Sequence, residues 1–422
     1  MTMPYVKVFF SLGGQKIFSL VASLLISIAL ARVLGPESYG VYIFVSAFIP
    51  LVALPISGGL PQLLTREIAK HIHNRAYAEY SGSVKTALKL NLWVAVIVFG
   101  LSALGLLYYE GSSKPYLIAL ALLSIPFIGV EAAHNGFIKG LQNPGRAEFS
   151  KQVLQPTLTG LLLLALIGAE RLTTSTAILS VITASAGAAL CSVLLYRNLR
   201  PKMPNNITPM LNDRRLFSSL ASFSAIALIT NFNTQIGILI LGALDLNADA
   251  ASLRIAERAG QLVALPLAIV NLIVAPRIVT AFQNGDINRL RKLAQRAAVV
   301  SFGLTLPATL TLLFYGDWLI AISFGDSYVE KALPAVIIVA IGQTLGAFVG
   351  AVWPLLTMTG HEKRALGGLG LAFALNTLLC FWLAPSMGAT GAALGSAASL
   401  IACKFIFSRE IKKLLSVNPR VF

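Results

Sequence analysis

Long apolar runs alternate with short polar interruptions along the whole chain, and twelve of the runs approach or exceed the length of a membrane crossing. Their limits are 14–34, 41–60, 88–108, 116–137, 153–169, 174–196, 217–243, 252–278, 297–315, 333–357, 366–384 and 390–408. A hydrocarbon core of roughly 30 Å takes about 20 apolar residues as a helix, and runs that are apolar on every face are buried by lipid rather than by a protein core. The pattern therefore predicts an all-α polytopic membrane protein of twelve helices. Leu51 to Pro55 (Leu-Val-Ala-Leu-Pro) recurs as Leu262 to Pro266, and the same offset of 211, half of 422, carries Arg66 onto Arg277. That is the signature of two copies of one six-helix unit.

Six spans return the chain to the side it started from, so the copies run parallel, around a central cavity. The expected lobes are 1–200 and 217–422, joined by a linker at 201–216 that holds Pro201, Pro204 and Pro209. Prolines interrupt many spans: Pro50, Pro55, Pro126, Pro156, Pro266, Pro276, Pro307, Pro334 and Pro354. Each removes a backbone hydrogen bond and invites a kink. Packing geometry accounts for most of them; Pro55 and Pro266, as repeat partners, are the candidates for bending points in alternating access.

Composition agrees with a bilayer: 56% hydrophobic and 12% charged residues, with a mean hydropathy of +0.77. The net charge of +16 changes the picture only through its distribution. With the N-terminus inside, Arg32, Lys114, Arg171, Arg254, Arg258 and Lys331 fall outside, and the remainder of the 33 Lys and Arg residues fall inside, Lys404 among them. This is the positive-inside bias of a chain with both termini in the cytoplasm, which leaves no call for a nucleic-acid partner. Lys7 and Lys16 precede an apolar run with no small-residue cleavage site, which reads as a retained first helix. Cys191, Cys380 and Cys403 lie inside spans and form no disulfide framework. No Gly-x4-Gly-Lys-Ser/Thr loop is present for ATP, and His71, His73, His134 and His361 have no cysteine nearby to complete a metal cluster.

The most specific local signal is Ala31-Arg32-Val33-Leu34-Gly35-Pro36-Glu37-Ser38-Tyr39-Gly40, in which Gly35-Pro36 stops one helix and Gly40 frees the chain to start the next. With Leu64-Thr65-Arg66-Glu67-Ile68-Ala69 after the second span and Gly136-Phe137-Ile138-Lys139-Gly140-Leu141-Gln142 after the fourth, the chain resembles the polysaccharide transporter family. That family belongs to the multidrug/oligosaccharidyl-lipid/polysaccharide flippase superfamily. The resemblance covers the whole chain. It implies a carrier in the bacterial inner membrane that moves undecaprenyl-diphosphate-linked oligosaccharide, such as an O-antigen unit, from the cytoplasmic to the periplasmic leaflet. It also implies polysaccharide polymerase and chain-length proteins as partners. One departure concerns coupling: where such proteins often place an Asp in the seventh span, this chain has Gln235, which puts a proton- or sodium-coupling carboxylate there in doubt.

The residues themselves point to an anionic cargo. Arg254, Glu257 and Arg258 share one face of the eighth span, and Arg277 follows 23 residues later, about 35 Å along one helix. Guanidinium forks match phosphate oxygens, so Arg32, Arg66, Arg254, Arg258 and Arg277 are the candidate diphosphate contacts. Arg66 and Arg277 serve equally well as cytoplasmic anchors, and Arg254 with Glu257 as a solvated pair. Glu131 and His134 in the fourth span could bind sugar hydroxyls or relay a proton, or reach interfacial water. Asn231, Asn233, Gln235 and Asn376 could bond a glycan or a cation, or bond between helices. The alternatives are a drug or metabolite exporter of the same superfamily, which calls for acidic cavity residues, and a membrane polymerase or ligase, which calls for a large outer loop. The acids inside spans are few, which argues against the first, and the outer loops are short, which argues against the second. No catalytic residue, cofactor or metal is expected, apart from a possible proton or sodium gradient.

Overall fold

The structure, a computed structural model, describes residues 3–108, 113–201, 210, 213–415, 417 and 419. Most of the expected linker at 201–216 lies outside them. The described chain is helical throughout. In order the helices are α1 (Met3–Val52), α2 (Leu54–Ser57), α3 (Leu60–His73), α4 (Tyr77–Tyr108), α5 (Lys114–Leu122), α6 (Ile125–Gly140) and α7 (Pro144–Phe149). A π-helical turn, Ser150–Leu154, leads into α8 (Gln155–Gly168) and α9 (Thr174–Leu199). There follow α10 (Asp213–Ala243), α11 (Asn247–Val263), α12 (Leu265–Gln283), α13 (Ile287–Phe324), α14 (Val329–Val349), α15 (Val352–Met358) and α16 (Glu362–Leu415).

Nine helices among the described residues are long and apolar enough to cross a membrane. Two of them, Leu12–Val52 and Arg364–Leu415, contain a break, at Gly35 (φ 74°) and at Gly388 (φ 55°), and supply two passes each. At Gly388 the break is a hairpin, because a Cβ on Gly391 would lie 2.3 Å from the Leu383 carbonyl. With the shorter apolar stretch Ala227–Ala243 the passes number twelve.

Prolines mark where helices restart. Pro55, Pro126, Pro156 and Pro266 each sit at the start of a helix, where no backbone N–H is needed and the ring cannot clash with a preceding turn. The eighth span is consequently not one helix. It breaks at Ala264 into α11 and α12, so Arg254 and Arg277 stand on different helices rather than on one continuous rod.

The repeat is a repeat of backbone geometry as well as of letters. Ala53 (φ −73°, ψ −8°) and Ala264 (φ −79°, ψ −9°) end a helix in the same conformation 211 positions apart. Turn residues with positive φ recur in part: Gly35 pairs with Asp245, Arg75 with Gly285, Gln142 with Gly360 and Glu170 with Gly388, while Gly325 and Gly350 have no counterpart among the described residues of the first half. Closing bonds recur too, Ala76 N to His71 O in one copy and Asp286 N to Ala281 O in the other. Both are the 6→1 closure of a helix whose last carbonyls need partners.

Packing divides the chain into two units, Met1–Leu34 with Val45–Asn231, and Gly35–Phe44 with Phe232–Phe422. In the first, α3 lies on α6 through two glycines four residues apart. A Cβ on Gly136 would fall 2.9 Å from the Pro61 carbonyl, and one on Gly140 2.6 Å from Ile68 Cβ. The Thr65 hydroxyl lies 2.8 Å from the Pro61 carbonyl and 3.3 Å from that of Gly136. Two of the motif segments thus dock on each other through small-residue packing. Around them Leu64, Ile68, Tyr80, Phe137 and Tyr196 form a core, with Tyr80 and Tyr196 joined hydroxyl to hydroxyl at 2.7 Å.

In the second unit α14 packs against α11, α13 and α16, and Ile278, Leu290, Val349, Leu355, Phe407 and Ile411 are fully or almost fully buried. Segment 35–44 is held here by two close approaches. A Cβ on Gly40 would overlap the Asn247 carbonyl, and one on Gly242 would overlap the Phe44 ring. Gly40 is helical, with no positive φ, so it serves close packing and not the freedom to start a helix.

Candidate functional site

The charged face of the second unit is built on α11. Its sequence, NADAASLRIAERAGQLV, places Arg254, Glu257, Arg258 and Gln261 at helical spacing on one side. Ala250, Ala251, Leu253, Ile255, Ala256, Gly260 and Val263 are buried on the others. Gly260 lets α14 approach, since a Cβ there would lie 2.4 Å from Val339 Cγ1.

Within this face the arginines are oriented. Arg254 donates from Nη1 to Glu257 Oε2 at 2.8 Å and from Nη2 to Gln235 Oε1 on α10 at 3.2 Å, with its side chain 14% exposed. Arg258 donates to Gln261 Oε1 at 3.1 Å and lies within electrostatic reach of Tyr39 and Tyr42 of segment 35–44, whose rings stack 6.3 Å apart. Two guanidiniums share one carboxylate, and the partner at position 235 is a neutral amide. The face therefore keeps an excess of positive charge while its donors are already aimed, an arrangement that can take an anion.

Nearby, Asn376 of α16 donates to the Asn233 carbonyl at 2.9 Å and to its Oδ1 at 3.1 Å, and Cys380 Sγ lies 3.2 Å from Asn376 Oδ1. These amides tie α10 to α16, the interhelical use of such side chains. Asn231 donates to the Ala227 carbonyl of its own helix at 2.8 Å. Arg277 is exposed on α12.

The remaining candidates belong to the first unit. Arg32 is exposed, and Arg66 is 55% exposed and paired with the adjacent Glu67 at 2.9 Å. Glu131 and His134 are buried, at 3% and 6%. Glu131 accepts from the Ser150 hydroxyl at 3.0 Å, across from the π-helical turn. His134 Nδ1 meets the Val130 carbonyl at 2.7 Å, and its ring stands edge-on to Phe137 and Tyr196, 5.4 Å from each. Both are thus packed among protein partners.

Two features escaped the sequence reading. Asp249 accepts from Lys331 Nζ at 2.8 Å and from the backbone N–H of Ala389 at 3.1 Å, capping the second pass of α16 just beyond Gly388. Nothing local in the sequence announces a bond across 140 positions. The docking of α3 on α6 did have a signal, the Gly-x3-Gly spacing of Gly136 and Gly140.

Comparison with known proteins adds the family. Residues 6–307 match the family model described as polysaccharide biosynthesis protein. The chain is 21% identical over 395 residues, 92% of its length and 79% of the relative's, to a probable low-salt glycan biosynthesis flippase of Haloferax volcanii. It is 32% identical over 178 residues, 40% of its length and 33% of the relative's, to a probable lipid II flippase of Rhizobium meliloti. The inward-facing structure of a multidrug resistance MATE family transporter of the MOP superfamily superimposes with a TM-score of 0.76, covering 94% of both chains at 14% identity, which is a likeness of fold. The chain, with twelve passes, a partly duplicated turn pattern and a match over most of its length, shares the fold of that transporter and belongs to the polysaccharide biosynthesis protein family.

Proposed function

We propose that the protein is a flippase, a transporter and not an enzyme, that carries a lipid-linked oligosaccharide with a diphosphate head between membrane leaflets. The specific reading is an undecaprenyl-diphosphate-linked unit for surface polysaccharide, such as an O-antigen, taken from the cytoplasmic to the periplasmic leaflet of a bacterial inner membrane. Both termini are then cytoplasmic. The observation that carries it is the α11 face, where Arg254 and Arg258 outnumber Glu257 and are held by neutral amides. The names of the two curated relatives, both flippases, support the same reading.

The fold is shared with drug transporters, and the sign of the charge separates the two uses. An organic cation needs carboxylates to meet it, whereas this face offers guanidiniums. Bending at Ala53 and Ala264 would let each unit rock about equivalent points.

Alanine replacements at Arg254 and Arg258, singly and together, test the reading in cells whose surface polysaccharide depends on this gene. The double variant is expected to accumulate lipid-linked sugar on the cytoplasmic leaflet and to lose surface polysaccharide by about tenfold or more, at normal protein abundance. Full export by the double variant at normal abundance rejects the cationic site.

A further inference from the structure

Charge distribution alone groups Lys404 with Arg409, Lys412 and Lys413 at the basic end of the last pass. It falls within the last apolar run, 390–408, and α16 is helical through it. It lies sixteen residues beyond the break at Gly388, about 24 Å along the helix, between Leu400-Ile401-Ala402-Cys403 and Phe405-Ile406-Phe407. Its side chain does not turn away from the protein. It lies along α14, where a Cβ built on Gly346 would be 3.8 Å from Lys404 Cε, and the residue is half-buried.

This ammonium has no ion-pair partner among the described residues. Glu410, on the same helix, is engaged by Arg364 at 2.8 Å and by Lys413 at 3.7 Å, and Glu257 on α11 by Arg254. An intramembrane cation without a counterion is costly to keep, and it marks a place where an anion or a water-filled path arrives.

Its level in the fold says which anion. Gly260 of α11 packs against Val339 and Gln343 of α14, beside Gln261, which receives Arg258. Gly346 follows one helical turn further along α14, and α11 ends at Val263. Arg254, Arg258 and Lys404 therefore stand at successive levels of the second unit. We propose that Lys404 is a phosphate-binding residue, a station at a level beyond the α11 arginines for the diphosphate of the lipid-linked cargo. This inference rests on the flippase reading above. A compact ammonium on a flexible stem suits a transient stop, because it follows a moving phosphate without the fixed geometry of a guanidinium fork.

Binding of farnesyl diphosphate to the full-length protein in nanodiscs tests it, with inorganic pyrophosphate and phosphatidylglycerol as competitors. Lys404→Gln and Lys404→Met, which keeps the stem without the charge, are expected to weaken binding about tenfold, and Lys404→Arg to retain it within about threefold. Neither neutral variant should melt below wild type, because each removes a charge from the span. If wild type binds and the neutral variants bind equally well, Lys404 is no station and the flippase reading stands. If wild type itself fails to bind the probe, that reading and this inference both fall. Displacement by phosphatidylglycerol as effective as by pyrophosphate would make Lys404 a contact for bulk lipid and overturn its assignment to the cargo.

Discussion

At position 235 a single amide sets the charge of the site. Gln235 accepts a hydrogen bond from Arg254 and so fixes the guanidinium without neutralising it. A carboxylate in the same place would complete a second ion pair and cancel the excess charge of the α11 face. Gln235→Glu, which keeps the side-chain length, is expected to lower anion transport about tenfold at neutral pH while leaving abundance unchanged. A transport assay read beside a quantitative blot checks this, and unaltered transport would show that the net charge of the face is immaterial. The types of residue at this site were legible in the sequence. Their roles were not: Arg254 and Glu257 pair along one helix, as their spacing suggests, but the bond from Arg254 to Gln235 joins two helices and depends on how each is rotated. Glu131 and His134 likewise lie among neighbours that no spacing announces, Ser150 for the first and Phe137 and Tyr196 for the second.

Among the helices, α16 depends most visibly on a distant partner. Its two passes meet at Gly388, and the second begins at Ala389 with its N–H held by Asp249 of α11. The carboxylate acts as a helix cap supplied from 140 positions away. Lys331, 51% exposed, adds a solvent-screened ion pair that contributes little by itself. Asp249→Ala is expected to cost about 1–2 kcal/mol through the lost cap, seen as a lower melting midpoint of the purified protein. A melting curve indistinguishable from wild type would show that water replaces the carboxylate there. Where helices stop was largely readable, because proline and glycine act locally: Pro55, Pro126, Pro156 and Pro266 each follow a break. The eighth span was misread as continuous because α11, rich in charged residues, and α12, apolar, join without a loop.

Over the whole molecule, an even number of passes requires both ends of the chain to lie on one side of the membrane. Single cysteines introduced near Lys16 and at Arg409, in a background without Cys191, Cys380 and Cys403, are expected to resist a membrane-impermeant maleimide in intact cells. Both should react after permeabilisation. Opposite accessibility at the two positions would refute twelve passes.

The sequence by itself determined the number of passes, the duplication and the uneven spread of positive charge. All three follow from properties that each segment carries alone: apolar length against bilayer thickness, backbone freedom at Gly and Pro, and charge count per loop. Tertiary structure decided what those segments face. It turned Gly40 from a helix starter into a contact with the Asn247 carbonyl, set Gly136 and Gly140 beneath α3, and laid the side chain of Lys404 along α14. The reason is rotational. In a helix apolar on nearly every side, lipid fixes no preferred face, and only close packing against neighbouring helices selects which residue turns inward.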